Sequence, residues 1–412
     1  MAPRISLAII HPNPFARNTA IALAAAGLLQ EIVTTIAYNP TGRRSLKWLP
    51  QSLLRELERR TWVPPAGVSL QTYQGRELIR LLLVRTGLSS RLGLGAAGPV
   101  DWVSLGLDQE VAHHHLTDLD AIYAYEDGAA TTFTAAKAQG IRCFYDLAIA
   151  FYPLSQKIQA AEAEHFPDLA VALEAAQEPP WKIARKHQEI QLADHIFVPS
   201  TFVQQSLLES GIAAERVTIV PFGAPIEYFQ PQPKPDDRFR VLFVGRVGPR
   251  KGVHYLLQSW KSLHLPDAEL LLVGLNEFPE PWLSPYEGLF RYVPSVPHAS
   301  LNQYYSSASV LVLPSLVEGM PLVLLEAMAC GIPLITTPHA GGTDLITDGR
   351  EGFIIPIRDP AALEERLAWC YHHPVELAEM GQAARRRAEI LTWDLYRQRM
   401  GTRIQQLLGD RP

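Results

Sequence analysis

Cysteines, net charge and long apolar runs are all scarce in this sequence of 412 residues. The three cysteines, Cys143, Cys330 and Cys370, lie far apart, which argues against disulfides and a zinc site and suits a reducing compartment. The formal net charge of −5 gives no case for nucleic-acid binding, which a strongly basic balance would indicate. No segment reaches the roughly 18–20 apolar residues that span a bilayer. The opening MAPRISLAII lacks the length and cleavage pattern of a signal peptide, so we expect a cytoplasmic protein.

One stretch departs from this charge balance. Residues 40–91 contain ten basic and three acidic residues, a net charge of +7. Leucines and tryptophans alternate with the arginines there, as in LKWLPQSLLRELERRTW and RELIRLLLVRTGL. Such stretches either contact anionic membranes or form solvated helical faces whose arginine stems cover apolar neighbours. The first reading would make the protein peripheral at the inner face of a membrane.

Short apolar runs alternate with helical patterns along the chain. RISLAII, AIYAY, IRCFYDL and HIFVPS indicate strands, and stretches such as TTFTAAKAQG indicate helices between them. QPQPKPDDR (230–238) contains three prolines and is typical of a linker. The alternation then restarts with RVLFVG, ELLLVG, SVLVLPS, IPLITT and GFIIPI. We predict two α/β domains with parallel sheets, over 1–230 and 231–392, and a final helix from about 393.

The first candidate site is VLFVGRVGPRKG, residues 241–252. The apolar run ends at Gly245, further glycines mark a loop, and a helix is predicted from about Lys251. Such a turn presents backbone N–H groups and a positive helix end to an anion. Arg246 and Lys251 add two charges where a diphosphate would bind. The motif matches neither the P-loop nor G-x-G-x-x-G, and cations at a purely structural turn are the alternative.

The second candidate site is VEGMPLVLLEAMACG, residues 317–331, where two glutamates stand among apolar residues. A carboxylate in such surroundings needs hydrogen-bond donors, because burying an unpaired one costs several kcal/mol. Glu318 follows a predicted strand, and Glu326 lies in a predicted helix whose first-turn amides include those of Leu322 and Val323. Either the vicinal hydroxyls of a ligand such as a ribose supply the donors, or Glu326 pairs with an arginine and Glu318 faces water.

Together the two motifs resemble the nucleotide-sugar glycosyltransferases of GT-B fold, in particular the large retaining family with a Glu-x7-Glu signature, the glycosyl transferase group 1 type. The likeness runs from Val241 to about Trp393 and includes LFVGRVGPRKG, LVEGMPLVLLEAMACGIPLITT, GGTDLITDGREGF and LTW. Residues 193–231 are similar to the family's approach to the hinge. The resemblance implies two Rossmann-like domains facing a central cleft, and a helix over 393–412 that returns to the first domain.

The resemblance also implies a reaction. A hexose would pass from a nucleotide-diphosphate donor, such as a UDP-, GDP- or ADP-sugar, to a hydroxyl of a saccharide or lipid-linked acceptor. The anomeric configuration would be retained, with no metal and no further cofactor. Arg246 and Lys251, beside Gly245, would bind the diphosphate and stabilise the charge that develops on it.

Four further positions would contact the donor. The family pattern implies that Glu326 binds the ribose hydroxyls and that Glu318 binds hydroxyls of the transferred sugar. The amides of Leu322 and Val323 would help to hold the sugar and the phosphate.

The first half departs from the family pattern, since IIHPNPFARNTAIAL lacks a glycine pair after the first strand. Where relatives place a histidine, this chain has Tyr145 and Asp146. Asp146 would take a related catalytic role or cap the next helix. In YAYEDGAA, Glu126 and Asp127 would orient an acceptor hydroxyl or act as a base, or they simply begin a helix. These three carboxylates are the predicted acceptor-side residues.

Two readings compete with these expectations. The histidines at 113–115 suggest a metal site, but three adjacent histidines cannot all point one way, so we predict a surface or capping role. A catalytically silent relative that uses the same fold as a binding or scaffold module is the alternative function.

Overall fold

A computed structural model describes residues 3–39, 57–58, 60–86 and 97–409. The chain divides into two compact units. The first comprises Met1–Leu147, Pro179–Phe197 and Arg397–Pro412, and the second comprises Ala148–Glu178 and Val198–Tyr396. Within the described ranges, none of the helices combines the length and the apolarity that a membrane span requires.

Each unit is built around a parallel sheet. The strands are β1 (Ile5–Ile9), β2 (Leu29–Thr34), β3 (Ser69–Thr72), β4 (Ala121–Tyr125), β5 (Arg142–Asp146), β6 (His195–Val198), β7 (Val217–Ile219), β8 (Phe239–Val244), β9 (Ala268–Val273), β10 (Arg291–Val293), β11 (Val310–Leu313), β12 (Leu334–Thr336) and β13 (Gly352–Ile354). In the first unit the order is β3-β2-β1-β4-β5-β6. In the second unit it is β10-β9-β8-β11-β12-β13. The prediction of two parallel α/β sheets is confirmed.

In the described residues, α-helices lie between most of the successive strands. They are α1 (Pro14–Ala25), α2 (Gln74–Arg85), α3 (Ala97–His114), α4 (Ala130–Ala138), α5 (Tyr152–His165), α6 (Pro180–Leu192), α7 (Thr201–Leu208), α8 (Val253–Leu263), α9 (Leu301–Ser307), α10 (Leu322–Ala329), α11 (Gly342–Leu345), α12 (Pro360–His372), α13 (Pro374–Ile390) and α14 (Trp393–Gly409). Central strands such as β1 and β11 are buried at every position, because helices cover both faces of such a sheet.

The compact units differ from the predicted limit at residue 230. Residues 148–178 cluster with the second unit, where the amide of Ala150 donates to the carbonyl of Glu318 over 3.2 Å. Ala148 also lies against Gly319, at which a Cβ would come within 1.9 Å of the Ala148 carbonyl oxygen. Residues of α14 from Arg397 onward belong to the first unit, where the Arg397 guanidinium donates to Asn18 over 2.9 Å.

A buried ionic cluster fixes α5 in the second unit. The fully buried carboxylate of Glu162 accepts from His254 Nε2 at 2.7 Å, from the Tyr255 hydroxyl at 2.8 Å and from Arg358 Nε at 2.6 Å. Burial raises the pKa of Glu162, but the bonds from His254, Arg358 and Tyr255 outweigh it and hold that pKa below its usual value. Arg358 adopts a φ of 59°, which is uncommon outside glycine, and its second nitrogen donates to the Ile158 carbonyl.

Candidate functional site

The loop after β8 is shaped by close backbone approaches. Gly245 has a φ of 144°, and a Cβ at Gly274, at the end of β9, would lie only 1.7 Å from the Gly245 carbonyl oxygen. Gly252 has a φ of 70°, and a Cβ there would lie 2.0 Å from the Pro314 carbonyl oxygen. The helix predicted from about Lys251 begins two residues later, because Pro249–Lys251 form a separate 3-10 turn that ends at Gly252. The loop is therefore held tightly against the ends of β9 and β11.

Lys251 and Glu318 are brought together by this loop. The Glu318 carboxylate, with 12% of its side chain exposed, accepts from Lys251 Nζ at 2.5 Å and also from the guanidinium of Arg250. Burial raises the pKa of Glu318, but the charges of Lys251 and Arg250 outweigh it and hold that pKa below its usual value. The single negative charge of Glu318 balances only one of its two cationic partners. One net positive charge therefore remains to attract an anion. Arg250 was missed in the sequence, although it stands next to Lys251.

Arg246 lies on the same loop but has a different partner. Its guanidinium bonds to Glu277, which follows β9, and 57% of its side chain is exposed. Burial lowers the pKa of Arg246, but the hydrogen bond and charge of Glu277 outweigh it, so the pKa is raised. The amide of Glu277 donates to the carbonyl of Val247 over 2.9 Å, which ties the two loops together. Arg246 is thus a permanently charged side chain at the solvent edge of the loop.

Glu326 is held by donors that the sequence did not indicate. It accepts from the buried Tyr305 hydroxyl and from His298 Nε2, each over 2.7 Å, and the residue is only 3% exposed. The alternative in which Glu326 pairs with an arginine and Glu318 faces water is wrong. The His298 side chain is 62% exposed, with its ring centroid 5.1 Å from that of Phe229. Both glutamates are satisfied within the protein.

The helix that carries Glu326 begins at Leu322, with Pro321 as its N-cap residue. No side chain caps this end. The amides of Leu322 and Val323 belong to its first turn and therefore have no partner within the helix. Leu322, Val323 and Glu326 thus lie on one short helix, and Glu318 lies in the turn before it.

The predicted acceptor-side pair forms a turn that α6 covers. The Glu126 carboxylate lies 3.6 Å from Lys186 Nζ, and that of Asp127 lies 3.4 Å from Lys182 Nζ. Asp127 has a φ of 69° and donates its amide to Glu189. Glu189 also accepts from the amides of Ala129 and Ala130 and from the Tyr145 hydroxyl, and burial raises its pKa to about 7. Glu189 therefore holds the backbone of this turn in place. No sequence motif indicated this role.

Asp146 stands at the end of β5 and is only 4% exposed. It accepts from the Tyr123 hydroxyl over 2.7 Å, and burial raises its pKa to about 7 against a weaker opposing effect of that bond. Capping of the next helix is wrong for Asp146, because α5 begins at Tyr152 without a side-chain cap. The neighbouring Tyr145 donates its hydroxyl to Glu189.

The raised pKa of Asp146 predicts a pH-dependent stability. An unfolded aspartate titrates near about 3.9, so between about pH 4 and pH 7 the folded protein keeps a proton that the unfolded chain releases. The free energy of unfolding therefore falls as the pH rises through this window. Asparagine cannot ionise, so Asp146→Asn should gain a few kcal/mol relative to wild type between about pH 5 and pH 8, at about 1.4 kcal/mol per pKa unit.

Urea denaturation at the two pH values measures this difference. Asp237→Asn, at an exposed carboxylate, is the control and should follow the wild type. An Asp146→Asn variant whose stability stays parallel to wild type at both pH values would show that Asp146 is ionised throughout.

The adjacent histidines His114 and His115 have different partners. His115 Nε2 lies 2.7 Å from the Tyr73 hydroxyl, and its Nδ1 lies 3.1 Å from Glu31. His114 Nε2 lies 3.7 Å from Glu110, on the same helix. Among the residues that the structure describes, no group of three His, Cys, Asp or Glu side chains is arranged to hold a metal ion.

Known proteins share the fold and a family motif region with this chain. Two Rossmann-like units with parallel sheets define an α/β protein of the GT-B glycosyltransferase fold. Residues 226–387, within the second unit, match the family model of the glycosyl transferases group 1, and the resemblance predicted from the sequence is confirmed. Sucrose-phosphate synthase from Thermosynechococcus elongatus aligns over 99% of this chain and 100% of its own, with a TM-score of 0.65 and 20% identity. Anabaena HepE, solved with UDP-glucose, aligns over 98% and 99%, with a TM-score of 0.63 and 14% identity.

Curated relatives are similar over a shorter range. The D-inositol 3-phosphate glycosyltransferase of Streptomyces avermitilis is 31% identical over 245 residues, 53% of this chain and 53% of its own. The enzyme of the same name from Streptosporangium roseum is 28% identical over 252 residues, 55% and 58%. The matched region thus spans about half the length of these relatives.

Proposed function

We propose that this protein is a group 1 glycosyltransferase. It transfers a hexose from a nucleotide-diphosphate donor to an acceptor hydroxyl, with retention at the anomeric carbon and without a metal ion. One observation carries this proposal: Lys251 and Arg250 both form ion pairs with the carboxylate of Glu318. These residues lie in the loops that follow the carboxyl ends of β8 and β11. Ligands bind at such strand ends in parallel sheets. The UDP-glucose bound to the structural relative HepE supports a sugar nucleotide as the donor.

The cations supply the main electrostatic contribution. As the bond from the sugar to the β-phosphate breaks, negative charge develops on the leaving diphosphate. Lys251 and Arg250 stabilise that charge from the inner side of the loop, and Arg246 turns from Glu277 to add a further charge from its exposed side. Such preorganised groups are worth most where charge appears in the transition state. Their positive charge takes the place of a metal ion.

The two glutamates exchange protein partners for ligand hydroxyls. The exposed ring of His298 moves off Glu326, and the ribose hydroxyls take its place, while the buried Tyr305 keeps the carboxylate oriented. Glu318 accepts from hydroxyls of the transferred sugar while it remains bound to Lys251. The amides of Leu322 and Val323 hold the sugar and the phosphate.

The acceptor is a saccharide or a lipid-linked hydroxyl compound. In the first unit Asp146 is our candidate for the catalytic role, because burial gives it a pKa near the operating pH of a cytoplasmic enzyme. Glu126 and Asp127, with their lysine partners, orient the acceptor hydroxyl.

Donor binding tests the proposal directly. A thermal-shift screen with UDP-, GDP- and ADP-sugars should identify one donor, since a ligand at about 100 times its Kd adds roughly 2.7 kcal/mol. Glu326→Gln should then raise the Kd of that donor about tenfold or more, because it loses a charge-assisted hydrogen bond worth about 1.5–3 kcal/mol. Glu379→Gln, on the exposed side of α13, is the matched control.

Two outcomes would contradict the proposed function. If the Glu326→Gln variant bound the donor with wild-type affinity, Glu326 would not be the residue that binds the ribose. A donor that binds but is neither hydrolysed nor transferred would favour the alternative of a silent binding or scaffold protein.

A further inference from the structure

Helix α2 buries its acidic residue and exposes its large apolar ones. The carboxylate of Glu77 is fully buried and accepts from Arg60 at 2.7 Å and from Arg80 at 2.6 Å. Leu78, Ile79 and Leu82 are 51%, 49% and 63% exposed. Leu82 lies four positions after Leu78 and three after Ile79, so on the helix surface it neighbours both of them. A helix of a soluble protein normally shows the reverse pattern.

The surroundings of this apolar face are basic. Residues 60–86 contain four arginines and one glutamate, a net charge of +3. Arg60 and Arg80 are largely buried against Glu77. Arg76 and Arg85 are more exposed and lie three positions from Ile79 and Leu82, respectively, so they border the apolar face. Arg76 lies with its guanidinium carbon 5.4 Å from the ring centre of Trp102, whose exposure is 39%. The other six basic residues of the predicted membrane stretch, Arg43, Arg44, Lys47, Arg55, Arg59 and Arg91, lie outside the described residues. An apolar face with a cationic border and a tryptophan at its edge suits an anionic lipid surface.

We infer that the face formed by Leu78, Ile79 and Leu82 docks on an anionic membrane surface. The apolar side chains enter the boundary between headgroups and acyl chains, and Arg76 and Arg85 contact the anionic headgroups. A second copy of this chain fits less well, because pairing two such faces would bring their arginines together. The inference does not rest on the donor site and holds with no nucleotide present.

Vesicle flotation tests this docking surface with the full chain. We expect wild-type protein to float with vesicles of phosphatidylcholine and phosphatidylglycerol, and far less with phosphatidylcholine alone. The triple substitution Leu78→Ser, Ile79→Ser, Leu82→Ser should reduce the bound fraction about tenfold or more, since each buried aliphatic side chain contributes about 1.5–3 kcal/mol. Added salt should weaken the binding of wild type.

The matched control changes three other exposed apolar residues, Val171, Val375 and Ile390, to serine. This control should float like wild type, and the melting temperatures of all three proteins should agree within a few degrees. Donor hydrolysis should be the same in all three, which separates this inference from the proposed transferase activity.

Three results would overturn the inference. They are wild type that fails to float with anionic vesicles, an α2 triple variant that floats as well as the control, and a wild-type dimer that the α2 substitutions convert to a monomer. The last result would assign the face to a contact between copies of the chain.

Discussion

Replacing Lys251 by alanine should lower the rate of sugar transfer by about 10² to 10³-fold, the loss typical of removing one preorganised group that stabilises transition-state charge. Lys251 Nζ lies 2.5 Å from Glu318, and the lysine side chain is 11% exposed, so solvent cannot replace its charge. The substitution also leaves Glu318 with Arg250 as its cationic partner. Donor affinity and turnover should both fall. Initial rates with the donor identified by the thermal-shift screen would measure the effect.

Lys261→Ala provides the matched control for this experiment. Lys261 is exposed on α8, with its Nζ 5.5 Å from the ring centre of Tyr286. Its removal should leave the rate within about twofold of wild type, since surface substitutions usually change little. Equal rates for Lys251→Ala and wild type would show that the loop after β8 does not bind the diphosphate.

The second large effect concerns stability. Glu162→Ala should lower the free energy of unfolding by about 3–5 kcal/mol, the usual consequence of removing one partner from a buried ionic cluster. It would leave the Arg358 guanidinium, the buried His254 and the Tyr255 hydroxyl without their shared acceptor. Urea denaturation followed by circular dichroism would measure the loss.

Glu164→Ala, two residues along the same helix, is the control, because Glu164 is exposed. It should change stability by no more than about 0.5 kcal/mol. If the two variants were equally stable, the three donors around Glu162 would have to find other partners in the folded protein.

Much of the fold could be predicted because apolar runs mark the central strands. SVLVLPS and AIYAY contain β11 and β4, and RVLFVG covers all of β8 except its first residue. Almost all positions of these strands are buried. β3 was missed because its sequence, SLQT, is short, polar and half exposed. The grouping of residues 148–178 with the second unit could not be seen, since it depends on contacts such as those of Glu162 and Gly319 that are distant in sequence.

The sequence indicated which residues belong to the candidate site, but not which side chains contact each other there. Gly245, Arg246, Lys251, Glu318 and Glu326 follow from loop and helix signals, which are local. Their partners are set by tertiary packing, and no spacing connects Glu326 to Tyr305 or to His298. The same reason explains why the lysines of α6 that face Glu126 and Asp127 were not expected.

The second unit is assembled from two separate stretches of chain, and this limits how the proposed donor specificity could be exchanged with that of a relative. A chimera that received only residues 231–392 from another enzyme would keep the resident α5, whose Glu162 must then meet foreign residues at positions 254, 255 and 358. Ile158 would likewise face unfamiliar neighbours in place of Tyr255, Leu316 and Val317. A graft intended to change the donor should therefore carry residues 148–178 along with it.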